Sequence, residues 1–363
     1  MFILTHSMDY EIMLSILMAQ PAENRPLIQL TKVDKGGSAT TPLVISTEFA
    51  DGDRGCKIVF RSYDKLGKPA TYETGSFKDN GNASGVKDKH DICVSTAAGC
   101  TRNCGFCAVP KAELGFERLL TSTEIEAQVT STISLRNKDN ALPNVVGLMG
   151  NGEPPDNYKN VIPALQHLFE QHVPIDRVTI STIGESSKGI NALADAFAES
   201  DIPVKLQFSL HVANNAKRRE IIPGKRTIEE IMYDVDRYAE VTGQPVKFNV
   251  VLMETDTFTN ASVEDAIALA SLLQQPSFFS GKPIARRLKM SAYNPIPGLP
   301  FRAPNQETRD LFVKTLRDHG VSEIKTFKGS GIDIDSENGT GGFACGQLRA
   351  TTRRAVDQSE AQK

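Results

Sequence analysis

The feature that most constrains this chain is an alternation of apolar and amphipathic segments from residue 91 onward. The apolar segments are short, rich in β-branched residues and bounded by Gly, Pro or Asn, which is typical of strands. Strands are predicted at residues 92–96, 145–149, 178–182, 205–210, 247–252, 288–293 and 323–327. Helices are predicted between them at residues 122–136, 158–171, 190–199, 228–241, 263–274 and 306–318. Repeated strand–helix units indicate a parallel sheet covered by helices.

Six such units are too few for a standard eight-unit barrel. We therefore expect an α/β fold built as a partial, open (β/α)6 barrel with a small N-terminal β-containing extension. In such folds the functional loops follow the carboxyl ends of the strands. We expect an extension with a β-hairpin at 1–90, the barrel at 91–300, a helix, strand and cysteine loop at 301–350, and a disordered tail at 351–363.

The first ninety residues have a different pattern. Residues 57–63 and 70–77 predict a β-hairpin, residues 8–18 a short amphipathic helix, and residues 78–89 a polar loop. We find no basic leader with a cleavage site and no apolar stretch of the roughly 18 to 20 residues that a membrane helix needs. The expected location is therefore the cytoplasm, where thiols stay reduced and cysteines serve as metal ligands, catalysts or core residues.

Three of the six cysteines lie in one short segment, CTRNCGFC. Cys100, Cys104 and Cys107 form a C-x3-C-x2-C triplet, which can hold three irons of a [4Fe-4S] cluster and leave the fourth open to a small ligand. This spacing, with Phe106 before the last cysteine, resembles the radical SAM superfamily signature. The alternative is a zinc site with Cys93 as fourth ligand, because tetrahedral zinc requires four.

A second motif, GNGEP at residues 150–154, ends the second predicted strand. It resembles the superfamily's Gly-Glu-Pro segment, which binds the amino group of S-adenosyl-L-methionine (SAM). Gly152 lets the backbone approach a ligand closely, and Glu153 supplies a carboxylate for an ammonium group. Alone, such a segment is most often an ordinary turn. After a cysteine loop and a strand, it indicates a SAM site.

Further motifs extend the resemblance from residue 57 to residue 348. They occur in one order and read CVSTAAGC (93–100), GFER (115–118), VTISTIG (178–184), SLH (209–211), YNPIPGLP (293–300) and ACGQL (344–348). Together they resemble the RlmN/Cfr family, whose members are radical SAM methyltransferases of RNA adenine. The resemblance implies an enzyme that uses two SAM molecules to methylate an adenine ring carbon, expected to be carbon 2, in rRNA or tRNA.

The resemblance also implies three catalytic residues. Cys345 matches the cysteine that carries the methyl group, Cys93 matches the cysteine that releases the adduct by forming a transient disulfide with it, and Glu73 matches the proton acceptor. A purine ring carbon bearing hydrogen is not nucleophilic, so this chemistry needs a radical supplied by the cofactor. The implied partners are an RNA substrate, a flavodoxin-type electron donor and a thiol reductant that resets the disulfide. A monomer is expected.

The SAM contacts implied by the resemblance are Gly152, Glu153, Ser181, Ser209, Leu210, His211 and Asn294. Without the resemblance, the polar ones among them are ordinary strand-end or turn residues. Arg118 and Arg218 match family positions at which a phosphate or carboxylate would be met. Outside the family context each is a solvated arginine.

Three departures from the family leave the acceptor open. The segment before the hairpin is shorter than the family's RNA-contacting domain, residues 336–342 are an insertion before Cys345, and Asn249 replaces a common glutamate. The same chemistry on another RNA or on a peptide is therefore the first alternative. A zinc-stabilised binding module is the non-enzyme alternative.

The charge balance excludes binding of nucleic acid through bulk charge. The chain of 363 residues has 41 Lys and Arg against 44 Asp and Glu, a net charge of −3. RNA binding would therefore need a local basic face. The segment from Lys217 to Arg226 is one candidate, although such a run is more often a solvated helix start.

Overall fold

An open β-sheet forms the framework of the protein. The structure, a computed structural model, describes residues 42–50, 55–79, 88–111, 115–296 and 298–327. The strands within these residues are β1 (Leu43–Ala50), β2 (Gly55–Tyr63), β3 (Pro69–Asp79), β4 (Lys89–Cys93), β5 (Ala97–Ala98), β6 (Arg118–Leu119), β7 (Asn144–Leu148), β8 (Arg177–Thr182), β9 (Val204–Ser209), β10 (Lys247–Leu252), β11 (Arg287–Ala292) and β12 (Ile324–Phe327). Ten of them form the main sheet, and β5 pairs with β6 in a small second sheet.

The main sheet has the order β1-β2-β3-β4-β7-β8-β9-β10-β11-β12. Strands β1 to β4 pair antiparallel, and every later neighbour from β4–β7 to β11–β12 pairs parallel. Within the described residues β1 and β12 are the two edges, so the sheet does not close. The predicted α/β fold with an open barrel is confirmed.

Helices cover the outer face of the parallel strands. They are α1 (Ser122–Arg136), α2 (Tyr158–Glu170), α3 (Ser187–Ala196), α4 (Asn215–Ile221), α5 (Ile228–Thr242), α6 (Val263–Leu273) and α7 (Gln306–Asp318). The capping boxes at Thr121 and Thr227 hold the starts of α1 and α5, as the sequence pattern indicates. None of the described helices is long and apolar enough to cross a membrane.

The two faces of the sheet differ in chemistry. In β10, Phe248, Val250 and Leu252 are buried in the core beneath the helices, whereas Lys247 and Asn249 alternate with them on the inner face. Side chains alternate between faces along a strand, so the inner face of this open barrel is largely polar. This polar face ends at the carboxyl edge of the parallel strands, where the candidate site lies.

Most predicted elements are confirmed, and the differences are local. Helices α1 and α7 have the predicted bounds, and the hairpin is present as β2 and β3. Strand β4 ends three residues before the predicted end at Thr96, because the Thr96 amide donates to the Asn151 carbonyl, which lies beyond the end of β7. Strand β1 and helix α4 were not predicted. The predicted 8–18 helix, residues 80–87 of the predicted loop and the 351–363 tail lie outside the described residues.

The hairpin is continuous with the barrel rather than separated from it. Strand β3 pairs with β4, and β4 pairs in turn with β7. One continuous hydrophobic core therefore includes Phe60 and Tyr72 from the hairpin together with residues of the parallel strands. The division of the chain into four segments stays a prediction.

Candidate active site

The cysteine loop lies at the carboxyl edge of the sheet. Strands β5 and β6 pair antiparallel at its base. The Gly105 amide donates to the Ile221 carbonyl at 2.9 Å, and the Tyr293 hydroxyl donates to the Phe106 carbonyl at 2.8 Å. The loop is thus held between α4 and the segment after β11, across the mouth of the open barrel.

The three thiols of this loop share an apolar and electrostatically crowded environment. Cys104 is buried, and Cys100 and Cys107 are half-buried. Burial is the main cause that raises the pKa of Cys104, and the nearby Cys107 and Cys100 raise it further. Burial also raises the pKa of Cys100. Coordination to a metal deprotonates such thiols, so the donor set fits a cationic iron–sulfur cluster.

The zinc alternative needs Cys93 together with these three thiols around one ion. In the part of the chain that the structure describes, no three His, Cys, Asp or Glu side chains are grouped for a single metal ion. Cys93 ends β4, between Gly75 of β3 and Gly147 of β7. The absence of such a group among the described residues applies to the three loop thiols as much as to the four zinc ligands, so the cluster and the zinc site both stay predictions.

The GNGEP segment packs against the residues that precede the cysteine loop. Gly152 has a φ of +97°, and a Cβ there would lie 2.8 Å from both the Ala97 Cβ and the Thr96 Oγ1. A Cβ on Gly150 would lie 2.6 Å from the Ser95 Oγ. Both positions therefore require glycine for steric reasons.

The carboxylate of Glu153 is buried, which raises its pKa, and it forms no salt bridge among the described residues, although the charge of Arg102 acts to lower the pKa. The Thr182 hydroxyl donates to its Oε1, and the Ile183 amide donates to Oε1 at 3.2 Å and Oε2 at 3.3 Å. Burial raises the pKa of Glu153 to about 7, against the lowering effect of the Thr182 hydrogen bond. Within the described residues no Lys or Arg forms a salt bridge with it. Such a carboxylate is prepared to receive the ammonium of a ligand.

The ends of β8 and β9 contribute polar groups beside Glu153. Gln207 Nε2 donates to the Ser181 Oγ at 2.9 Å on the inner face. Ser209 ends β9 and is half-buried, whereas the side chain of Leu210 lies in the core. Asn294 is half-buried just after β11. The structure thus brings the predicted SAM residues to one edge, although Leu210 contributes only its backbone there.

His211 connects the cysteine loop to the strands. Its φ of +59° is unusual for a residue other than glycine. The Val251 amide donates to its Nδ1 at 3.1 Å, and its ring meets the Phe106 ring edge-on at 5.0 Å between centroids. Burial lowers the pKa of His211 to about 3. The ring is therefore neutral at physiological pH.

The predicted proton acceptor and release thiol lie on the wall next to this edge. Glu73 of β3 is fully buried and forms a salt bridge with Lys57, at 2.9 Å between Oε2 and Nζ. The Ser95 hydroxyl donates to the Glu73 carbonyl at 2.6 Å and accepts from the Asn151 amide at 3.0 Å. This chain of hydrogen bonds connects the hairpin to the GNGEP segment. Cys345 lies outside the described residues.

The candidate basic run is used mainly for internal contacts. The Arg218 guanidinium is buried and donates to the carbonyls of Ile183, Ser209 and Leu210. Lys217 forms a salt bridge with Asp265 at 2.6 Å. Arg226 pairs with Asp234. Arg118 likewise meets a carboxylate, in a two-point contact with Glu124 at 2.7 and 2.8 Å. Arg118 and Arg218, the two arginines that match family positions, are therefore buried and bonded within the protein rather than solvated.

A basic surface that the sequence analysis missed lies on the inner face at the amino ends of the parallel strands. Strand register places its members on the same face: Arg177, Lys205, Lys247, Arg287, Lys289 and Lys325. Burial lowers the pKa of Lys247 to about 8, and four of these neighbours lower it further. We call this set the inner basic row. The sequence feature that could have predicted this row is a Lys or Arg at an inward-facing position in each of four predicted strands.

Comparisons with known proteins agree with this arrangement. The Radical SAM superfamily model matches residues 94–269. The "Probable dual-specificity RNA methyltransferase RlmN" of Thermosipho melanesiensis is 36% identical over 262 residues, which cover 71% of this chain and 68% of that protein. The protein of the same name from Thermotoga maritima is 35% identical, over 72% of this chain and 69% of its own. A crystal structure of a radical SAM methyltransferase from Sphaerobacter thermophilus aligns with a TM-score of 0.70 at 29% identity, covering 86% of this chain and 82% of that one.

Proposed function

Because this chain belongs to the RlmN family of radical SAM RNA methyltransferases, we propose that it methylates an adenine ring carbon of RNA, at carbon 2, by way of a methylated Cys345. The observation that carries the proposal is Glu153, a buried carboxylate that forms no salt bridge among the described residues, beside a loop of three thiols. A carboxylate in that position supports a ligand that carries an ammonium group, and the thiols support a cluster.

Cys100, Cys104 and Cys107 would hold the cluster, and Gly152, Glu153 and the ends of β8 and β9 would hold SAM. When bound, these two groups supply the methyl group and the radical that makes an unreactive adenine carbon accessible to methylation. The neutral His211 ring and the Phe106 ring exclude water beside the loop.

The remaining roles fall to residues of the chain itself. Cys345 carries the methyl carbon as a thioether, and Glu73 Oε accepts the proton that leaves the adenine carbon. The Cys93 thiolate then attacks the Cys345 sulfur, so that an S–S bond forms and the sulfur–carbon bond breaks. The electron pair of the broken bond goes to the methylene carbon on adenine, which takes up one proton, returned by Glu73 or supplied by water, and becomes the methyl group. A thiol reductant returns both cysteines to the reduced state, as the proposed cytoplasmic location allows.

The inner basic row supports an RNA acceptor over a neutral peptide. Six cations on neighbouring strands, of which Arg287 pairs with Glu323 at 3.4 Å, attract an anionic polymer, and phosphate contacts of this kind do not depend on sequence. We assign phosphate contacts to this row rather than to the segment from Lys217 to Arg226. Replacing Lys205 and Lys325 by Gln should lower the salt dependence of RNA binding by about one unit of log–log slope per contact.

The experiment that tests the proposal is expression of Cys93→Ala, followed by mass spectrometry of the Cys345 peptide. An RNase-sensitive adduct ending in adenine is expected, because the release thiol is absent. Cys56→Ala is the matched control, since Cys56 is buried in the core and should leave no adduct. Methylated Cys345 without nucleic acid would point to another acceptor. Unmodified Cys345 in protein with a full cluster would refute the mechanism.

A further inference from the structure

The salt bridge between Lys57 and Glu73 is completely buried. Both side chains have 0% relative exposure, and their charged atoms are 2.9 Å apart. In the register of β2 and β3, Lys57 lies opposite Gly75 and Val59 lies opposite Glu73. The two charged residues are therefore diagonal neighbours on one face of the hairpin, and that face is the inner one, because Ile58 and Tyr72 lie in the core on the outer one.

Stability alone does not account for this pair. Removing two charges from water costs free energy that their attraction often fails to recover, and well-packed apolar residues usually serve as well or better. The outer face of the same strands already supplies such packing, with Phe60 stacked on Tyr72 at 5.5 Å between ring centroids. A buried ion pair on the inner face therefore points to a chemical task.

The pair lies beside the proposed release thiol, and the backbone of Glu73 is connected by hydrogen bonds to the SAM segment. Gly75 lies opposite Lys57 on one side and opposite Cys93 on the other. The row Lys57–Gly75–Cys93 thus crosses three strands, and its central position has no side chain. On the other side, Ser95 connects the Glu73 carbonyl to the Asn151 amide.

We propose that Lys57 is the positioning residue for Glu73: it keeps this carboxylate ionised and oriented while it waits for the proton from the RNA adenine. The proposal rests on the proposed function. A carboxylate buried without a cation is neutralised at physiological pH and then has no site for a further proton. Among the described residues, the other charged or titratable residues that strand register places beside the pair are Glu48 of β1, opposite Lys57, Arg61 of β2 and Cys93 of β4. Glu117 also lies close, since it accepts from the Thr71 amide at 3.0 Å.

The test uses the cluster-loaded enzyme and measures release of the methylated RNA against pH, with Lys57→Met, Lys57→Arg, Glu73→Gln and the double variant Lys57→Met/Glu73→Gln. At pH 7 we expect Lys57→Met to slow release about 100-fold, the lower end of general-base effects, and to recover as the pH rises. Lys57→Arg should keep the wild-type profile. Glu73→Gln should be slow at every pH, and the double variant should be no slower.

Two controls separate the positioning role from a structural one. Lys65→Met changes the same residue type at an exposed position in the turn of the same hairpin and should leave the profile unchanged. The Cys93 thiol makes release faster at high pH in every variant, so each profile is divided by that of the wild type. A merely structural Lys57 would slow release by the same factor at all pH values, and this result would overturn the proposal.

The methylation state of Cys345 distinguishes this proposal from the one it rests on. Methylated Cys345 should form in all variants, because that step needs neither Lys57 nor Glu73. A wild-type enzyme without methylated Cys345 would overturn the proposed function, and the role of Lys57 with it. Normal methylation together with an unshifted Lys57→Met profile would overturn the role of Lys57 alone.

Discussion

Glu73, in strand β3, and Glu153, in the segment that follows β7, are both buried carboxylates, but the protein compensates their charge differently. Glu73, in the hairpin wall, has a lysine 2.9 Å away. Glu153, at the carboxyl edge, forms no salt bridge among the described residues and accepts hydrogen bonds from the Thr182 hydroxyl and the Ile183 amide. A carboxylate with its own cation stays ionised and can accept a proton. A carboxylate without one has a pKa near 7 and gains most from a ligand that brings the cation.

The largest effect that we expect is the loss of stability when the cation of Glu73 is removed. Lys57→Met should lower the free energy of unfolding of the metal-free chain by about 3–5 kcal/mol, because the buried carboxylate must then either stay charged without its partner or take up a proton that it does not hold in the unfolded chain. Adding Glu73→Gln should recover most of that loss. Urea denaturation at pH 8 measures both. Glu153→Gln should not destabilise the protein at this pH, and an equal loss there would show that the two carboxylates are not different.

The next effect is a pH dependence that belongs to Glu153 alone. Its pKa is raised from 4.5 to about 7, so between these values the folded state holds a proton that the unfolded state has lost. The free energy of unfolding should therefore fall as the pH rises through this window, by about 3 kcal/mol in total. The difference between the wild-type and Glu153→Gln stability curves isolates this contribution, since His90 and His211 titrate in both. A constant difference from pH 4 to 8 would contradict the assignment.

SAM affinity should change by a smaller free energy. Glu153→Gln should weaken binding of SAM to the cluster-loaded protein by roughly 10- to 100-fold, the range for a charge-assisted hydrogen bond. Glu73→Gln should leave it unchanged. Equilibrium dialysis at pH 8 compares the three proteins. Equal losses of SAM affinity in both variants would mean that SAM binding depends on Glu73 in the hairpin as well as on Glu153 at the carboxyl edge.

The smallest effect is expected for an ion pair that is partly exposed. Arg102 of the cysteine loop contacts Asp156 at 2.9 and 2.5 Å, with about a quarter of each side chain exposed. Asp156→Asn should cost at most about 1 kcal/mol, as seen in urea denaturation. The iron content per chain should stay at the wild-type level. A loss as large as that of Lys57→Met would show that burial is not what distinguishes the hairpin pair.

Local patterns predicted the parts of the fold whose contacts are near in sequence. The capping box of Thr121 and Glu124 predicts the first residue of α1, and both of its hydrogen bonds are present. Helix α4 was missed because its basic residues dominate the pattern, although the Asn214 side chain caps it. The end of β4 was misplaced because Val94 and Thr96 still have a strand-like sequence while their amides bond to residues around the next strand's end.

In the candidate site, too, residues within one local motif could be predicted and residues that meet through distant contacts could not. The thiols and Glu153 could be predicted because each motif is contiguous in the chain. Lys57 and Thr182 could not, since each meets its carboxylate only through the pairing of strands. Lys57 had one local signal, a lysine among apolar residues in a predicted hairpin strand. Its partner depends on the hairpin register, which a five-residue turn sets.

The buried Arg218 has a thermodynamic consequence for the ligand. Its guanidinium joins the Ile183 carbonyl, at 2.7 Å, to the Leu210 carbonyl, at 3.0 Å, and the Ile183 amide is the one that donates to Glu153. The backbone that orients the carboxylate is therefore ordered before any ligand arrives. The entropy cost of association accordingly falls on the immobilised ligand rather than on the protein, as it does in preorganised sites.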